Sequence, residues 1–317
     1  MSQAQRLLLI APSTLTRTPA FERAGALAKA MQMPLHIVAF DYLQALAVAG
    51  LFAPEQMNRA RDGYLQNHRQ WLTEQAGLIS QHGVQVTSEV VWVQHPYEEI
   101  MHFVSEMPLA LIIKDAQEES ALQRIFFAPL DWQLLRDCPV PVHLVTNALN
   151  PRPRNILAIV DVLRDEEQDN VFNDQIINAA VKLANECDAH LELMHVYDWA
   201  AIYVQDMGFG ALPLATGIYE ALGTTQREVF AAMAERHGVP PEYRHFIEGN
   251  PVLSICEFAA EHRTDIIVMG TVQHKGLNKL LGTTAEQLLQ RAPCSVLAIK
   301  PGRVLQSCAG NGPALER

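Results

Sequence analysis

Asn155-Ile156-Leu157-Ala158-Ile159-Val160-Asp161 restates, near the middle of the chain, the opening run Arg6-Leu7-Leu8-Leu9-Ile10-Ala11-Pro12. Each is a short apolar strand that leads into an Ala-rich amphipathic helix, over Ala20 to Met31 and Asn173 to Cys187, with apolar residues returning at helical spacing. Second strands follow at Pro34-Leu35-His36-Ile37-Val38-Ala39-Phe40 and His190-Leu191-Glu192-Leu193-Met194-His195-Val196. His95-Pro96 and Asn250-Pro251 each open a later helix at the first-turn position where proline is tolerated. Buried runs Ala110-Leu111-Ile112-Ile113 and Asp265-Ile266-Ile267-Val268 come next, and the last strands are Pro141 to Val145 and Ser295 to Ile299. Apolar runs of strand length alternating with helices imply a mainly parallel sheet covered on both faces. The chain is therefore read as an α/β protein of two tandem doubly wound, Rossmann-like domains, each with a five-stranded sheet.

The expected boundaries are a first domain over 1–146, a linker over 147–153, a second domain over 154–301 and a flexible tail over 302–317. The linker holds two prolines and little apolar content, and the two repeats are expected to pack through their last strands. With 49% hydrophobic and 19% charged residues the composition is that of an ordered globular protein. A formal charge of -11 opposes nucleic acid and anionic membrane surfaces, which need clustered Lys and Arg. Arg61, His68 and Arg69 lie on one helix, read as a solvated face. Met1 to Arg6 leads straight into a strand, without a signal-peptide core, so a cytoplasmic location without membrane insertion is expected. Cys138, Cys187, Cys256, Cys294 and Cys308 are scattered and read as reduced thiols; twelve histidines show no metal-ligand spacing.

In an open α/β sheet, ligands bind beyond the carboxyl ends of the strands, where strand order reverses. In the second half those ends carry Asp161-Val162, Val196-Tyr197-Asp198 and the stretch Met269 to Glu286. Gly270 and Gly282 permit close backbone approach or positive φ, and Thr283-Thr284 stand where a helix begins, so exposed amides there favour phosphate oxygens. Asp161 can accept hydrogen bonds from a ribose or an adenine edge. The plainer alternatives are that both glycines only punctuate a strand and a helix, that Asp161 is a turn or cap residue, and that Lys275 and Lys279 face solvent.

These residues resemble the universal stress protein family, specifically its tandem E-type members, across essentially the whole ordered chain. That resemblance implies an adenine nucleotide alpha hydrolase-like domain carrying a Gly-x2-Gly-x9-Gly-Ser/Thr motif, an Asp ending the first strand and a His-Val pair near the end of the second. Gly270, Gly282-Thr283, Asp161 and His195-Val196 stand at those places. By resemblance the Val196 backbone would meet adenine, Asp161 the nucleoside, and Gly270, Gly282 and Thr283 the phosphates of ATP or another adenine nucleotide. Val162, Met269, Thr271, Gln273 and Thr284 complete the expected binding set. Two departures stand out: Gln273 replaces the middle glycine, and eight residues, not nine, separate it from Gly282. In the first half Pro12 replaces the strand-end Asp, Asp115 the first Gly and Ala128-Pro129 the Gly-Thr pair, so no nucleotide is expected there. Phe126 to Trp132 resembles the matching stretch of E-type proteins.

The implied function is a stress-response binding and regulatory protein whose ligand stabilises one arrangement that a partner recognises. A weak ATP hydrolase and a ligand-free scaffold are the rivals; no nucleophile elbow, Walker loop or zinc spacing supports a dedicated enzyme. The apolar stretches Leu43 to Pro54 and Ala200 to Leu222 read as buried packing between domains or in a homodimer, or else as the roof of a pocket for an apolar ligand. Trp199 to Leu222 is expected to be a loop or a broken helix.

Overall fold

A computed structural model describes residues 5–49, 54–116, 130–146, 149–162, 167–198, 216–271 and 283–302. Two compact units divide the chain, one reaching to Asp115 and the other over Ala116–Val304.

The first unit runs β1 (Arg6–Ala11), α1 (Pro19–Ala30), β2 (Leu35–Asp41), α2 (Gln44–Ala49), α3 (Pro54–Ser80), β3 (Val86–Trp92), α4 (Pro96–Glu106) and β4 (Leu109–Asp115). Its strands are all parallel in the order β3-β2-β1-β4. β1, β2 and β4 are buried almost residue for residue, because helices cover both faces, whereas the outer strand β3 is mostly half-buried or exposed, with Val90 alone buried. On α3 the buried positions Leu65, His68, Leu72, Gln75, Ala76 and Ile79 recur at three- and four-residue intervals, tracing one stripe against the sheet. His68, read from sequence as part of a solvated face, belongs to that stripe.

The second unit runs α5 (Leu130–Asp137), β5 (Val142–Val145), β6 (Asn155–Ile159), α6 (Glu167–Cys187), β7 (His190–Tyr197), α7 (Thr216–Arg236), a 3-10 turn (Pro241–Tyr243), β8 (Arg244–Glu248), α8 (Pro251–Glu261), β9 (Ile266–Gly270), α9 (Thr283–Arg291) and β10 (Ser295–Ile299). Strand order is β5-β10-β9-β6-β7-β8, parallel except that β5 runs antiparallel to β10. The last strand of the first repeat thus pairs with the last strand of the second, with His143 opposite Leu297. Helix α6 starts six residues before the expected Asn173, and the stretch read as loop or broken helix is helical from Thr216 onward. Asn250 accepts the Leu253 N–H at 3.1 Å and Pro251 takes the first turn, so α8 is capped as its sequence proposes. Asp265 pins the connection between the repeats: its carboxylate accepts the Arg154 and Asn155 amides at 2.7 and 3.1 Å and the Asn150 side-chain amide at 3.0 Å.

Among the described residues, no helix is long and apolar enough to cross a membrane.

Candidate functional site

In the second unit strand order reverses between β6 and β9, which lie side by side with Ile159 opposite Met269. The crevice above their carboxyl ends is the place this architecture offers a ligand. Asp161 and Val162 follow β6 there. Asp161 is exposed and Val162 buried, while Asn173 of α6 clamps the Asp161 backbone from below. The Asn173 side chain donates to the Asp161 carbonyl at 2.7 Å and accepts its N–H at 3.2 Å. Asn173 is itself buried, so the turn that presents Asp161 is held by a fixed group.

Val196 supplies the second feature. The His190 N–H reaches Arg154 O and the Met194 carbonyl accepts Val160 N–H, so the even-numbered residues of β7 turn their backbone groups towards β6. Alternation along a strand places the N–H and C=O of Val196 on the same side, past the last β6–β7 pair and facing Val160–Asp161. The Val160 carbonyl is taken by His195, whose Nδ1 donates to it at 3.1 Å. His195 is only 1% exposed and packs against Phe230 and Phe246. Burial lowers its pKa, against the opposing pull of the Val160 carbonyl and of Asp161. A carbonyl can only accept, so Nδ1 carries a proton.

On β9, Met269 lies in the core and Gly270 at the strand end. A Cβ on Gly270 would stand 2.5 Å from Phe172 Cε1 and 2.9 Å from Ile176 Cδ1, both of α6. The glycine is required because a helix packs against it; its φ is not positive, and the space beside it is filled by protein. Thr271 is buried, and both its N–H (2.9 Å) and its hydroxyl (3.4 Å) donate to the Ile299 carbonyl. It therefore fastens β9 to β10 rather than presenting its hydroxyl to the crevice. Thr283 and Thr284 open α9, as the sequence proposed, and so place that helix's first amides after the motif. Gln273 and Gly282, together with Lys275 and Lys279, lie outside the described residues, as do Ala128-Pro129 and most of the apolar stretch after β7.

The corresponding strand ends of the first unit make internal contacts. Asp115 ends β4 where Gly270 ends β9, and its carboxylate caps α1: Oδ1 accepts the Ala20 N–H at 3.2 Å and Oδ2 the Thr18 hydroxyl. Thr18 makes no side-chain cap of its own, so a strand end distant in sequence does that work. Burial raises the Asp115 pKa, with the Thr18 and Ala20 bonds pulling it back. At the end of β2, Asp41 is fully buried with Oδ2 2.6 Å from His68 Nδ1. Tyr64 packs against His68 with 4.1 Å between ring centroids and the planes tilted by 36°. Burial is the main cause of a raised Asp41 pKa, opposed by His68. Sequence reading missed this pair, although a strand-end acid and a histidine at a core position of the helical stripe were its two signals. Among the described residues no group of three or more His, Cys, Asp or Glu is placed to hold a metal ion.

The profile of the universal stress protein family matches the chain twice, over residues 5–146 and 154–300. The chain is 26% identical over 303 residues to universal stress protein E of Escherichia coli K12, covering 95% of each. It is 28% identical over 259 residues to the universal stress protein E homolog of Haemophilus influenzae, covering 81% of this chain and 83% of the relative. Among solved structures, a universal stress protein from Archaeoglobus fulgidus DSM 4304 superposes with a TM-score of 0.62 at 17% identity, over 93% of this chain and 96% of that one. A Pseudomonas aeruginosa UCBPP-PA14 structure solved under the same family name gives 0.70 at 23% identity, over 95% of both chains. Two family domains in series, matched along nearly their whole length by E-type relatives, place the chain in the universal stress protein family as a tandem E-type member.

Proposed function

We propose that this chain serves a stress response by binding an adenine nucleotide, ATP or a relative, in the second repeat alone, as a regulatory rather than a catalytic protein. The observation that carries the reading is the convergence at one switch point of an exposed carboxylate on a clamped turn, Asp161, with the outward backbone pair of Val196. A purine edge needs one donor and one acceptor side by side, and a ribose offers hydroxyls to a carboxylate. The amides at the start of α9 supply donors for phosphate beyond them. Asp161, Val162, Val196, Met269, Gly270, Thr271, Gln273, Gly282, Thr283 and Thr284 form the proposed lining. Gly270, Thr271, Met269 and Val162 act in it as supports, since each is engaged in packing or in strand pairing. The proposed domains remain 1–146 and 154–301, joined by 147–153, in a cytoplasmic protein.

Equilibrium titration of the full chain with ATP, ADP and AMP tests this, beside the Asp161→Ala variant. Loss of a hydrogen bond to a charged acceptor weakens binding by about tenfold or more. Equal affinity in the variant would remove Asp161 from the site and with it this reading.

A further inference from the structure

Strand β8 is the outer strand of the second unit; among the described residues it pairs with β7 alone. The Gly249 N–H donates to Tyr197 O at 3.0 Å, so the backbone groups of Gly249 face β7. By alternation those of Ile247 and His245 face β7 too, and those of Arg244, Phe246 and Glu248 point away from the sheet. The side chains of these three residues also share one face. There the Arg227 guanidinium of α7 lies 4.4 Å from the centre of the Phe246 ring, beside an open groove of about 350 Å³ lined by Arg227, Phe230, Ala231 and the strand from Arg244 through His245 and Phe246 to Ile247.

The strand reads Arg-His-Phe-Ile-Glu, which is its own complement in charge. Laid antiparallel beside a second copy about a two-fold axis at Phe246, it sets Arg244 opposite Glu248, His245 opposite Ile247, and Phe246 opposite Phe246. In this register each outward-facing residue meets an outward-facing residue, so Arg244, Phe246 and Glu248 all exchange both N–H···O bonds with the other strand. A slip of one residue sets outward groups against inward ones; a slip of two keeps the bonds but loses both ion pairs. We propose that the chain forms a two-fold homodimer through β8, with Phe246 of the second copy entering the groove beside Arg227. The occupant is a second copy because register, backbone parity and charge agree on the same axis, which an unrelated acidic strand would not require. Edge strands left open and half apolar are the usual sites of such pairing. A five-residue strand buries less than an obligate dimer needs, so association is concentration-dependent.

Light scattering after size exclusion, run on the full chain from micromolar to millimolar concentration, reads the oligomeric state. The wild type is expected to shift from monomer to dimer. Glu248→Arg sets arginine against Arg244 in two symmetric places and is expected to weaken the dimer by about tenfold or more. The double variant Arg244→Glu/Glu248→Arg restores the complement and is expected to return the dimer. Arg244 Nε also donates to Val239 O at 2.7 Å, so the melting temperature is followed alongside. Should the double variant unfold, Glu248→Pro decides instead, because it removes one outward N–H and leaves the β7 ladder whole. A wild type monomeric throughout, a dimer indifferent to Glu248→Arg or to Glu248→Pro, or a folded double variant that stays monomeric overturns the proposal; an acidic peptide bound at this edge of a monomer does so equally.

Discussion

Gly270, expected from the sequence to lie against phosphate, is required by the structure for a different reason. Its missing Cβ is the space that Phe172 and Ile176 of α6 occupy. Gly270→Ala is therefore expected to destabilise the fold by about 1–3 kcal/mol through overpacking, read by urea unfolding. The double change with Phe172→Ala is expected to cost less than the two single changes together, because the added methyl enters the volume the ring leaves. His195 shows a second single-residue effect. Burial holds His195, His36 and His245 below the 6.5 of a free imidazole, so as pH falls the unfolded chain takes up these protons before the folded one. Stability is thus complete above that value and is lost as pH drops through it towards the folded-state pKa values. Melting temperatures are expected to hold level above about pH 6.5 and to fall from there towards pH 5.5. A flat profile across that window would mean that the three rings ionise as freely folded as unfolded.

At the level of helices and strands, most of the architecture was legible because buried parallel strands leave unbroken apolar runs that turns and helices interrupt. Leu7 to Ile10 and Ile266 to Val268 sit at or near zero exposure, as such runs require. Polar residues that the fold buries were not legible. His68 on α3 looks solvent-facing beside Arg61 and Arg69, and only the approach of the β2 terminus gives it Asp41 as a partner. His68→Leu is expected to cost about 3–5 kcal/mol at neutral pH, since it strands a buried carboxylate, and the added change Asp41→Leu to recover part of that loss. Both are measurable by denaturant unfolding. Asn173 was read only as the start of a helix; its two bonds to the Asp161 backbone depend on where β6 ends. Asn173→Ala is expected to lower stability by about 1–3 kcal/mol and to weaken nucleotide binding by loosening the turn that carries Asp161, a coupling that titration of the variant checks.

In the molecule as a whole, two copies of one unit have taken different courses. The strand ends that face a crevice in the second copy are committed to internal contacts in the first, with Asp115 capping α1 and Asp41 joined to His68. The sequence leads one to expect no phosphate in the first copy, since a carboxylate, Asp115, stands where the second copy has Gly270. What that carboxylate does instead depended on Thr18 and Ala20, which are far from it along the chain and near it only in the fold. The proposed nucleotide binding is thus asymmetric: one duplicated chain, one site. Isothermal calorimetry of the intact protein with ATP measures this directly. One equivalent bound per chain is expected, abolished or greatly weakened by Asp161→Ala and unaltered by Asp115→Asn. Two equivalents, no binding heat at any concentration, or a site lost with Asp115→Asn and kept with Asp161→Ala would contradict it.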